Sequence, residues 1–446
     1  MKAATPQVTS TLAVRRASDA GFLLMIWVIL LLIVPANLVV GPLGAAGSPA
    51  QIVGLLALCW WLAFQLDKSQ SSIAPAQPVR TAMLIFVAAV LASYVAAATR
   101  PIEAIELSAA DRGLLIVLSW LGIVLLTSDG LTSRRRLDAL LRLLVGAAAF
   151  AAVLGVAQFV TERSFVDQIQ IPGLSPNTAL TSVYDRNGFA RAAGTSTHPI
   201  EFGVLLSMAL PLALHYALAD TSRSRLRRWL PIVAIGIAIP ITLSRSTLLG
   251  LVVVLAVVLP TWPAVRRRWA YAWIGFGGLA VYVAVPGLLG TMGRLFTGIG
   301  EDNSAQSRVD SYEVALAYVM QNPIFGRGFS TFLPRNRILD NQYLGLLIET
   351  GVAGFVAFVA LLVTGIVVAT RTRRLSTLTE DRSLATALTA TIGAAALACA
   401  TFDSFGFPQV SGLLFFALGC ITALSRFVEV GVGAHRPHFV AASVPR

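Results

Sequence analysis

Long uninterrupted apolar stretches recur along the whole chain and are the strongest structural signal in its sequence. Each stretch is continuous, whereas the strands of a transmembrane β-barrel alternate apolar and polar residues. About 20 apolar residues are enough for a helix to cross the hydrocarbon core of a bilayer. The sequence therefore predicts an all-α integral membrane protein with about twelve transmembrane helices, at 21–41, 50–66, 81–99, 113–128, 139–160, 200–219, 229–243, 246–260, 269–289, 343–369, 383–402 and 408–427.

The first apolar stretch has some features of a signal peptide. It follows Arg15 and Arg16, and the later Gly44-Ala45-Ala46 resembles a cleavage site. Its apolar core is nevertheless longer than the roughly 7 to 15 residues of a signal-peptide core. We therefore expect an uncleaved first helix, and a single polytopic membrane domain over residues 1–446.

The charge distribution predicts the orientation of the helices. The chain is 56% hydrophobic and only 13% charged, and Lys and Arg outnumber Asp and Glu by 34 to 22. If both termini are cytoplasmic, about two thirds of the Lys and Arg residues fall on the cytoplasmic side, in agreement with the positive-inside rule. This orientation predicts a cytoplasmic tail at 428–446 and an external loop at 161–199. It also predicts a large periplasmic loop, 290–342, between helices 9 and 10.

Several classes of function are disfavoured by the remaining composition. The net charge of +12 comes from short basic clusters beside apolar stretches, which are typical of topology signals and contacts with anionic lipids rather than of nucleic-acid binding. The three Cys residues lie far apart in predicted helices, and the sequence has neither a P-loop nor an HExxH motif. We expect no disulfide, metal or cofactor. Any transport or reaction must therefore be driven by an ion gradient or by an energised substrate.

The large loop carries an amphipathic pattern. Between 307 and 320, Val309, Tyr312, Leu316 and Val319 recur at helical spacing. This predicts a helix that rests on the outer membrane face or caps a cavity. The Gly-rich turn that follows presents Arg327, and it is either a plain connector or part of a site.

Two further arginines are expected at the outer interface. Arg191 precedes the sixth predicted helix, and Arg245 lies between two closely spaced helices. An arginine there either faces an aqueous cavity, pairs with another group, or extends to the surface. Because a planar guanidinium suits phosphate, two arginines on one face favour an anionic ligand.

The acids near the tenth predicted helix leave more than one role open. Asp340 stands where a helix begins, so it is either an N-cap or a catalytic group. Glu349 follows nine residues later on roughly the opposite face, which excludes a simple carboxylate pair, and its depth indicates a functional or paired group. His198 is either a proton carrier or a packing residue beside a proline. Asp403 is expected to cap a turn.

The motifs and their order resemble the bacterial O-antigen ligase and polysaccharide polymerase family. The resemblance covers most of the chain from the sixth predicted helix onward, together with the number of helices before it. It is carried by R-x-x-G-T-x-x-H-P at Arg191 to Pro199, L-S-R-S at Leu243 to Ser246, N-P-x-x-G-x-G at Asn322 to Gly328, and D-N-x-Y-L-x-x-L-x-E-x-G-x-x-G at Asp340 to Gly354.

This resemblance implies a membrane glycosyltransferase of the GT-C type. Such an enzyme moves a glycan from undecaprenyl diphosphate to an acceptor sugar hydroxyl, with inversion, on the periplasmic face of the bacterial inner membrane. Its partners are the lipid-linked glycan, a glycan or lipid-glycan acceptor, and membrane lipid. The implied catalytic residues are Asp340, as the base just before the tenth helix, with Arg191 and Arg245 on the leaving diphosphate. Other substrate contacts are expected from Arg327, His198, Asn341, Tyr343 and Glu349.

One departure favours a particular branch of that family. Ligases that transfer O-antigen to lipid A core usually carry His where Asp340 stands, so the sequence favours a polysaccharide polymerase over a ligase. A secondary transporter is the alternative from another class. It is disfavoured because we find no repeated halves, and because the candidate charges gather on the external face.

Overall fold

The computed structural model describes residues 8–66, 77–177, 184–186, 188–297 and 303–434, and α-helix dominates these segments. The helices are α1 (Val8–Leu32), α2 (Pro49–Leu66), α3 (Pro78–Ala98), α4 (Ala104–Gly130), α5 (Arg134–Thr161), α6 (Pro199–Ala219), α7 (Arg225–Ile241), α8 (Arg245–Val258), α9 (Ala264–Ala284), α10 (Leu288–Thr297), α11 (Asn303–Gln321), α12 (Gln342–Leu375), α13 (Thr379–Cys399) and α14 (Pro408–Ala434). Short 3-10 turns lie at Gly41–Gly47, Val166–Gln168, Leu259–Thr261 and Ser404–Gly406.

Eight helices within the described segments are long and apolar enough to cross a membrane: α2, α3, α4, α5, α6, α12, α13 and the Pro408–Val430 part of α14. The chain is therefore a multi-pass α-helical membrane protein. The predicted count of twelve is not confirmed. The other four predicted spans fall on α1, α7, α8 and α9, where Ala20–Leu32 and Arg245–Thr261 are apolar but shorter.

The structure moves two predicted boundaries. The first helix, predicted at 21–41, ends at Leu32 because the chain turns at Pro35, whose ring fixes the backbone and whose carbonyl accepts from Leu38 N. The ninth, predicted at 269–289, is α9 (Ala264–Ala284), and α10 follows it. The long connection to α12 thus begins earlier than expected, and α11 covers the predicted amphipathic segment 307–320.

Two very short antiparallel strand pairs join the connections between helices. Strand β1 (Leu38–Val39) pairs with β2 (Ser175–Pro176), which ties the segment after α1 to the segment after α5. Strand β3 (Tyr184–Arg186) pairs with β4 (Phe189–Arg191), and the second of these leads into α6.

Aromatic rings fill the core where α3, α4, α12 and α14 meet. Trp120 stacks on Phe415 with ring centroids 4.5 Å apart, and Phe86 lies 5.5 Å from Phe358. Phe405, from the connection before α14, packs against Phe358 at 5.1 Å. Apolar helices in lipid gain little from hydrophobic association, so close packing of this kind holds a bundle together.

The two ends of the bundle differ in their polar contacts. At one end, helix termini are joined by ion pairs: Arg134 Nε lies 2.8 Å from Asp381 Oδ1, and Arg142 Nε lies 3.0 Å from Asp220 Oδ2. The other end contains the long connections, and they surround an open cavity.

Candidate functional site

A cavity of about 570 Å³ opens at the end of the bundle that carries the long connections. Its walls come from α4, from the start of α12, and from the connections between α1 and α2, α5 and α6, α11 and α12, and α13 and α14. The size is typical of sites for small ligands, and a few sugar rings fit in such a volume. Its charged and imidazole lining consists of Arg112, Arg337, Glu349, Asp403 and His198, and its aromatic lining of Trp120, Phe329, Phe332, Phe405 and Phe407.

The wall nearest α12 depends on a break in that helix. At Gly351 the backbone leaves helical geometry, with φ 62° and ψ −165°. The N–H groups just beyond the break bond to a neighbouring turn instead: Val352 N donates to Pro323 O at 2.9 Å, and Ala353 N to Ile324 O at 3.1 Å. The turn after α11 therefore supplies acceptors that the interrupted helix lacks.

The same turn also bonds to the carbonyls before the break. Arg327 N donates to Ile348 O at 3.0 Å, and Gly328 N donates to Glu349 O at 2.9 Å. Four backbone hydrogen bonds thus lock the turn into the helix. The two sequence motifs, N-P-x-x-G-x-G and E-x-G-x-x-G, are the two halves of this contact.

Glycine is required on both sides of the contact. Gly326 has φ 69°, and a Cβ there would lie 2.3 Å from the carbonyl oxygen of Glu349. Gly351 also has positive φ, and its Cβ would lie 2.3 Å from the oxygen of Ile324. Because the opposing atoms are backbone, neither clash can be relieved by a side-chain rotation.

Glu349 fixes the loop that follows the turn. Its Oε1 accepts from Phe332 N at 3.2 Å, and its backbone oxygen accepts from Ser93 Oγ at 2.6 Å. The sequence predicted a functional or paired group, and the structure shows a carboxylate bound to the loop backbone while lining the cavity.

Arg327 lies behind the cavity wall. Its Nη2 is 2.7 Å from Glu106 Oε1, and its guanidinium lies 5.2 Å from the ring centre of Tyr318. Glu106 also pairs with Arg100 at 3.0 Å. The charge of Arg327 therefore attaches the turn to the start of α4, and Arg327 is not among the residues that line the cavity.

Arg191 and Arg245 meet at the turn between α7 and α8. Arg191 is buried at the end of β4, and its Nε donates to Thr242 O at 2.9 Å. Ser244 caps α8 through a bond from Thr247 N, and Arg245 is the first residue of that helix. The structure thus brings the two predicted arginines to one turn, outside the lining of the cavity.

His198 lies between that turn and the cavity. It is the N-cap of α6, and its Nδ1 accepts from Ile200 N at 3.1 Å. Burial, together with the positive charge of Arg191, lowers the pKa of His198 to about 4. The imidazole is therefore neutral at pH 7, with its proton on Nε2.

The start of α12 settles the capping question. Asn341 is the N-cap, and its Oδ1 accepts from Tyr343 N at 2.9 Å and from Leu344 N at 3.3 Å. Asn341, and not Asp340, is therefore the residue that caps α12. Tyr343 supports the fold through its hydroxyl, which donates to Ala396 O at 2.8 Å.

Asp340 lies near a second carboxylate, that of Asp403. Asp403 caps the turn at Ser404–Gly406, as the sequence predicted, and it lines the cavity. The pKa of Asp403 is raised, chiefly by desolvation of its carboxylate and also by the negative charge of Asp340. Leu339 and Asn341, on either side of Asp340, both line the cavity, so Asp340 lies at its edge.

A buried polar network that sequence reasoning missed holds the Arg191–His198 segment. Glu201 Oε2 accepts from Thr197 N at 2.8 Å, and its Oε1 accepts from Gln409 N at 2.8 Å. Gln158 exchanges two bonds with the backbone of Gly194. The sequence did contain a signal for this network: Glu201, Gln158 and Gln409 lie in apolar stretches, where polar side chains need partners.

Arg112 was also missed. It lies in α4 and lines the cavity, but in the sequence it simply follows Asp111 at the edge of an apolar stretch. Among the described residues, no group of three or more His, Cys, Asp or Glu side chains is arranged to hold a metal ion.

These features define the class: a multi-pass α-helical membrane protein with a polar cavity at one end of its bundle. Residues 230–359 match the family model described as O-Antigen ligase. This segment belongs to that family, and the resemblance to O-antigen ligases and polymerases is confirmed. The family consists of glycosyltransferase-like ligases and polymerases. No curated protein matches the chain.

The matched segment contains Arg245, Arg327, Asp340, Glu349 and the whole contact between the turn and α12. It ends inside α12, beyond the break at Gly351, and it begins after the segment that carries Arg191 and His198.

Replacing Gly326 or Gly351 by Ala is expected to destabilise the contact by roughly 2 kcal/mol or more, because a methyl group would meet backbone atoms and the left-handed conformation is strained. The measurement is thermal unfolding in detergent together with proteolytic cleavage of the 322–341 segment. Gly278→Ala in α9 is the matched control, since nothing lies within 4 Å of a Cβ there. Unchanged cleavage in both variants would contradict the contact.

His198→Ala should lower the free energy of unfolding by about 1 kcal/mol, whereas His198→Asn retains a side-chain acceptor for the cap. The unfolded imidazole takes up a proton near pH 6.5, but the native one does so only near pH 4. Wild-type stability should therefore fall relative to His198→Asn as the pH drops from 7 to 5. A difference in unfolding midpoint that is independent of pH would show that the imidazole has the same pKa in the native and unfolded states, and would contradict the lowered pKa.

Proposed function

We propose that this protein transfers a glycan from undecaprenyl diphosphate to a sugar hydroxyl, with inversion, on the periplasmic face of the bacterial inner membrane. The product belongs to a surface polysaccharide. The observation that carries the proposal is the cavity at one end of the bundle, with Asp340 at its edge and Arg191 and Arg245 at the adjoining turn.

The orientation is supported by the charges at the opposite end. The connections there carry the arginine clusters of 134–136, 223–228, 266–268 and 371–374. Positively charged connections remain in the cytoplasm. The cavity then opens to the periplasm, where nucleotide sugars are absent, so the donor must carry its own leaving group. A sugar on a lipid diphosphate meets that need.

Arg191 and Arg245 bind the diphosphate in this proposal and neutralise the charge that develops as it leaves. Their common position at the α7–α8 turn supports the assignment. Because Arg191 is anchored to the carbonyl of Thr242, its guanidinium is fixed before the donor arrives, and little reorganisation is needed during the reaction.

Asp340 acts as the general base, taking the proton of the acceptor hydroxyl as that oxygen attacks the anomeric carbon. Two observations support it. Capping of α12 is done by Asn341, and the Asp403 carboxylate that responds to Asp340 lines the cavity.

The other expected substrate contacts divide into two groups. His198, Asn341 and Glu349 line the cavity and are placed to contact the glycan. Arg327 and Tyr343 act indirectly, by holding the turn and the start of α12.

Polymerisation is favoured over ligation to lipid A core, because Asp340 stands where ligases of this family usually carry His. The transporter alternative is weakened by the break in α12. Broken helices in transporters expose backbone groups to substrate, whereas this break is filled by the turn at 323–328.

Asp340→Asn should reduce glycan transfer by about 100-fold or more, because the amide cannot accept a proton, while its size is unchanged. Arg245→Gln should lower transfer by a similar factor through loss of charge at the diphosphate. The assay uses purified protein in nanodiscs with a lipid-diphosphate oligosaccharide. Arg268→Gln, at the opposite end, is the charge-matched control. Full activity in Asp340→Asn would exclude it as the base.

The same assay separates the two reactions. Ladders of longer lipid-linked glycan without added acceptor are expected for a polymerase. Product that forms only after lipid A core is added would instead identify a ligase and overturn the assignment drawn from Asp340.

A further inference from the structure

Two buried side-chain amides line the cavity with hydrogen-bonding groups that the described parts of the protein do not use. Gln51, in the first turn of α2, is 5% exposed, and Gln342, the first residue of α12, is 4% exposed. Both line the cavity. Buried amides normally bond to other groups, because a buried polar group without a partner costs free energy. The unused groups of these two residues therefore point to a ligand.

The amide of Gln51 is unused at both of its polar atoms. The backbone N–H of this residue donates to Ser48 Oγ at 3.3 Å, and that bond does not involve its side chain. Within the described segments of the chain, Oε1 has no donor and Nε2 has no acceptor. An amide accepts through its oxygen and donates through its nitrogen at the same time. Gln51 therefore offers the cavity an acceptor and a donor side by side.

The amide of Gln342 is used at its oxygen and not at its nitrogen. Its Oε1 accepts from Phe405 N at 2.8 Å, which fixes the position of the amide. For its Nε2, the described residues provide no acceptor. A Cβ at Gly345, which also lines the cavity, would lie 3.7 Å from this nitrogen. Nε2 therefore lies on the side of α12 that faces the cavity, where its N–H groups can bind a ligand.

Both glutamines belong to segments that pack on one stretch of α4. Gly54, one turn further along α2, lies so close to this stretch that a Cβ there would be 2.0 Å from Ser119 Oγ. The next residue, Trp120, packs against Phe405 with ring centroids 4.8 Å apart, and Phe405 N is the donor to Gln342. Trp120 and Phe405 line the cavity as well. This stretch of α4 thus connects the two amides, and aromatic surface lies beside it.

Sugar hydroxyls match these amides better than an anion does. A hydroxyl both donates and accepts, so two neighbouring hydroxyls of one sugar ring can bond to the oxygen and the nitrogen of Gln51. An anion only accepts, and it would leave Gln51 Oε1 without a donor. The aromatic rings of Trp120 and Phe405 suit the apolar faces of the same sugar.

We propose that Gln51 and Gln342 are specificity-determining residues that bind hydroxyl groups of a sugar in the cavity. Gln51 bonds to a pair of neighbouring hydroxyls, and Gln342 donates to a hydroxyl through Nε2. Because a buried amide is left unpaired when the matching hydroxyl is missing, such a site discriminates strongly against sugars that lack it. The inference rests on the proposed function for the identity of its ligand as a glycan.

The test measures binding, and it requires no turnover. Purified protein in nanodiscs is titrated with undecaprenyl diphosphate, and separately with the undecaprenyl-diphosphate-linked glycan extracted from the cells that make the protein. Both lipids carry the diphosphate, so the ratio of their affinities measures the contribution of the sugars. Wild type should bind the glycan-bearing lipid at least about tenfold more tightly, the equivalent of about 1.4 kcal/mol.

Gln51→Leu and Gln342→Glu should each lose most of this preference. The second variant keeps the acceptor for Phe405 N and removes the N–H donors. Gln65→Leu, at the far end of α2, is the matched control and should keep the full preference. The part of the preference that Gln51→Leu loses should not change between about 0.1 and about 1 M salt, because uncharged groups are not screened.

Thermal unfolding of the ligand-free protein separates a binding role from a structural one. Gln51→Leu removes an amide that has no partner in the described protein, so this variant should unfold at the wild-type temperature or above it. Gln158→Leu is the contrast, since the Gln158 amide exchanges two bonds with the backbone of Gly194. That variant should unfold at a lower temperature.

Several results would overturn the assignment. Equal affinity of wild type for the two lipids, or a full preference in Gln51→Leu, would exclude the amides as sugar contacts. A fall in unfolding temperature of Gln51→Leu like that of Gln158→Leu would make Gln51 a structural residue, and a lost preference that weakens with salt would identify an anionic substituent instead. A preference that depends on Gln51 in a protein without transfer activity would refute the proposed transferase and leave this sugar site standing.

Discussion

The backbone contact between the 323–328 turn and the break of α12 is the constraint on which the rest of the site depends. A helix interrupted in or near a bilayer leaves polar backbone groups that water cannot reach, so another part of the protein must satisfy them. The turn does this with four hydrogen bonds. It thereby fixes the start of α12, the loop bonded to Glu349, and Arg327 against Glu106. The parts of the cavity wall formed by the start of α12 and by the loop bonded to Glu349 therefore depend on this one interruption.

The arginines around this contact differ in the groups that hold them. Arginines that pair with acids hold elements together, as Arg327 does on α4 and Arg134 does at the opposite end. Arg191 donates to the backbone carbonyl of Thr242, which fixes its position at the α7–α8 turn. Arg112 is held only by packing against Gly44. A cation in a cavity that has no polar partner among the described residues, as Arg112 is, suits an anionic ligand.

Much of this architecture could be predicted from the sequence, because apolar length and helical spacing are local signals. They indicated most of the helices, including α11, and the motif order indicated the family. Local signals also misplaced the end of the first helix, which ends at Leu32. They left open whether Asp340 caps α12, and the structure shows that Asn341 is the cap. The pairing of Arg327 with Glu106 joins residues 221 positions apart, and no local pattern reports such a contact. Arg112 was missed for the same reason, since its cavity exists only after distant connections meet.

The most direct test of the central claim is a structure of the protein in nanodiscs with a polyprenyl-diphosphate glycan whose anomeric bond cannot be cleaved. The account predicts the diphosphate at the α7–α8 turn, in contact with Arg191 and Arg245, and the sugars in the 570 Å³ cavity beside Asp340. A diphosphate bound at the opposite, arginine-rich end, or a cavity without sugars in a protein that has bound the lipid, would contradict it.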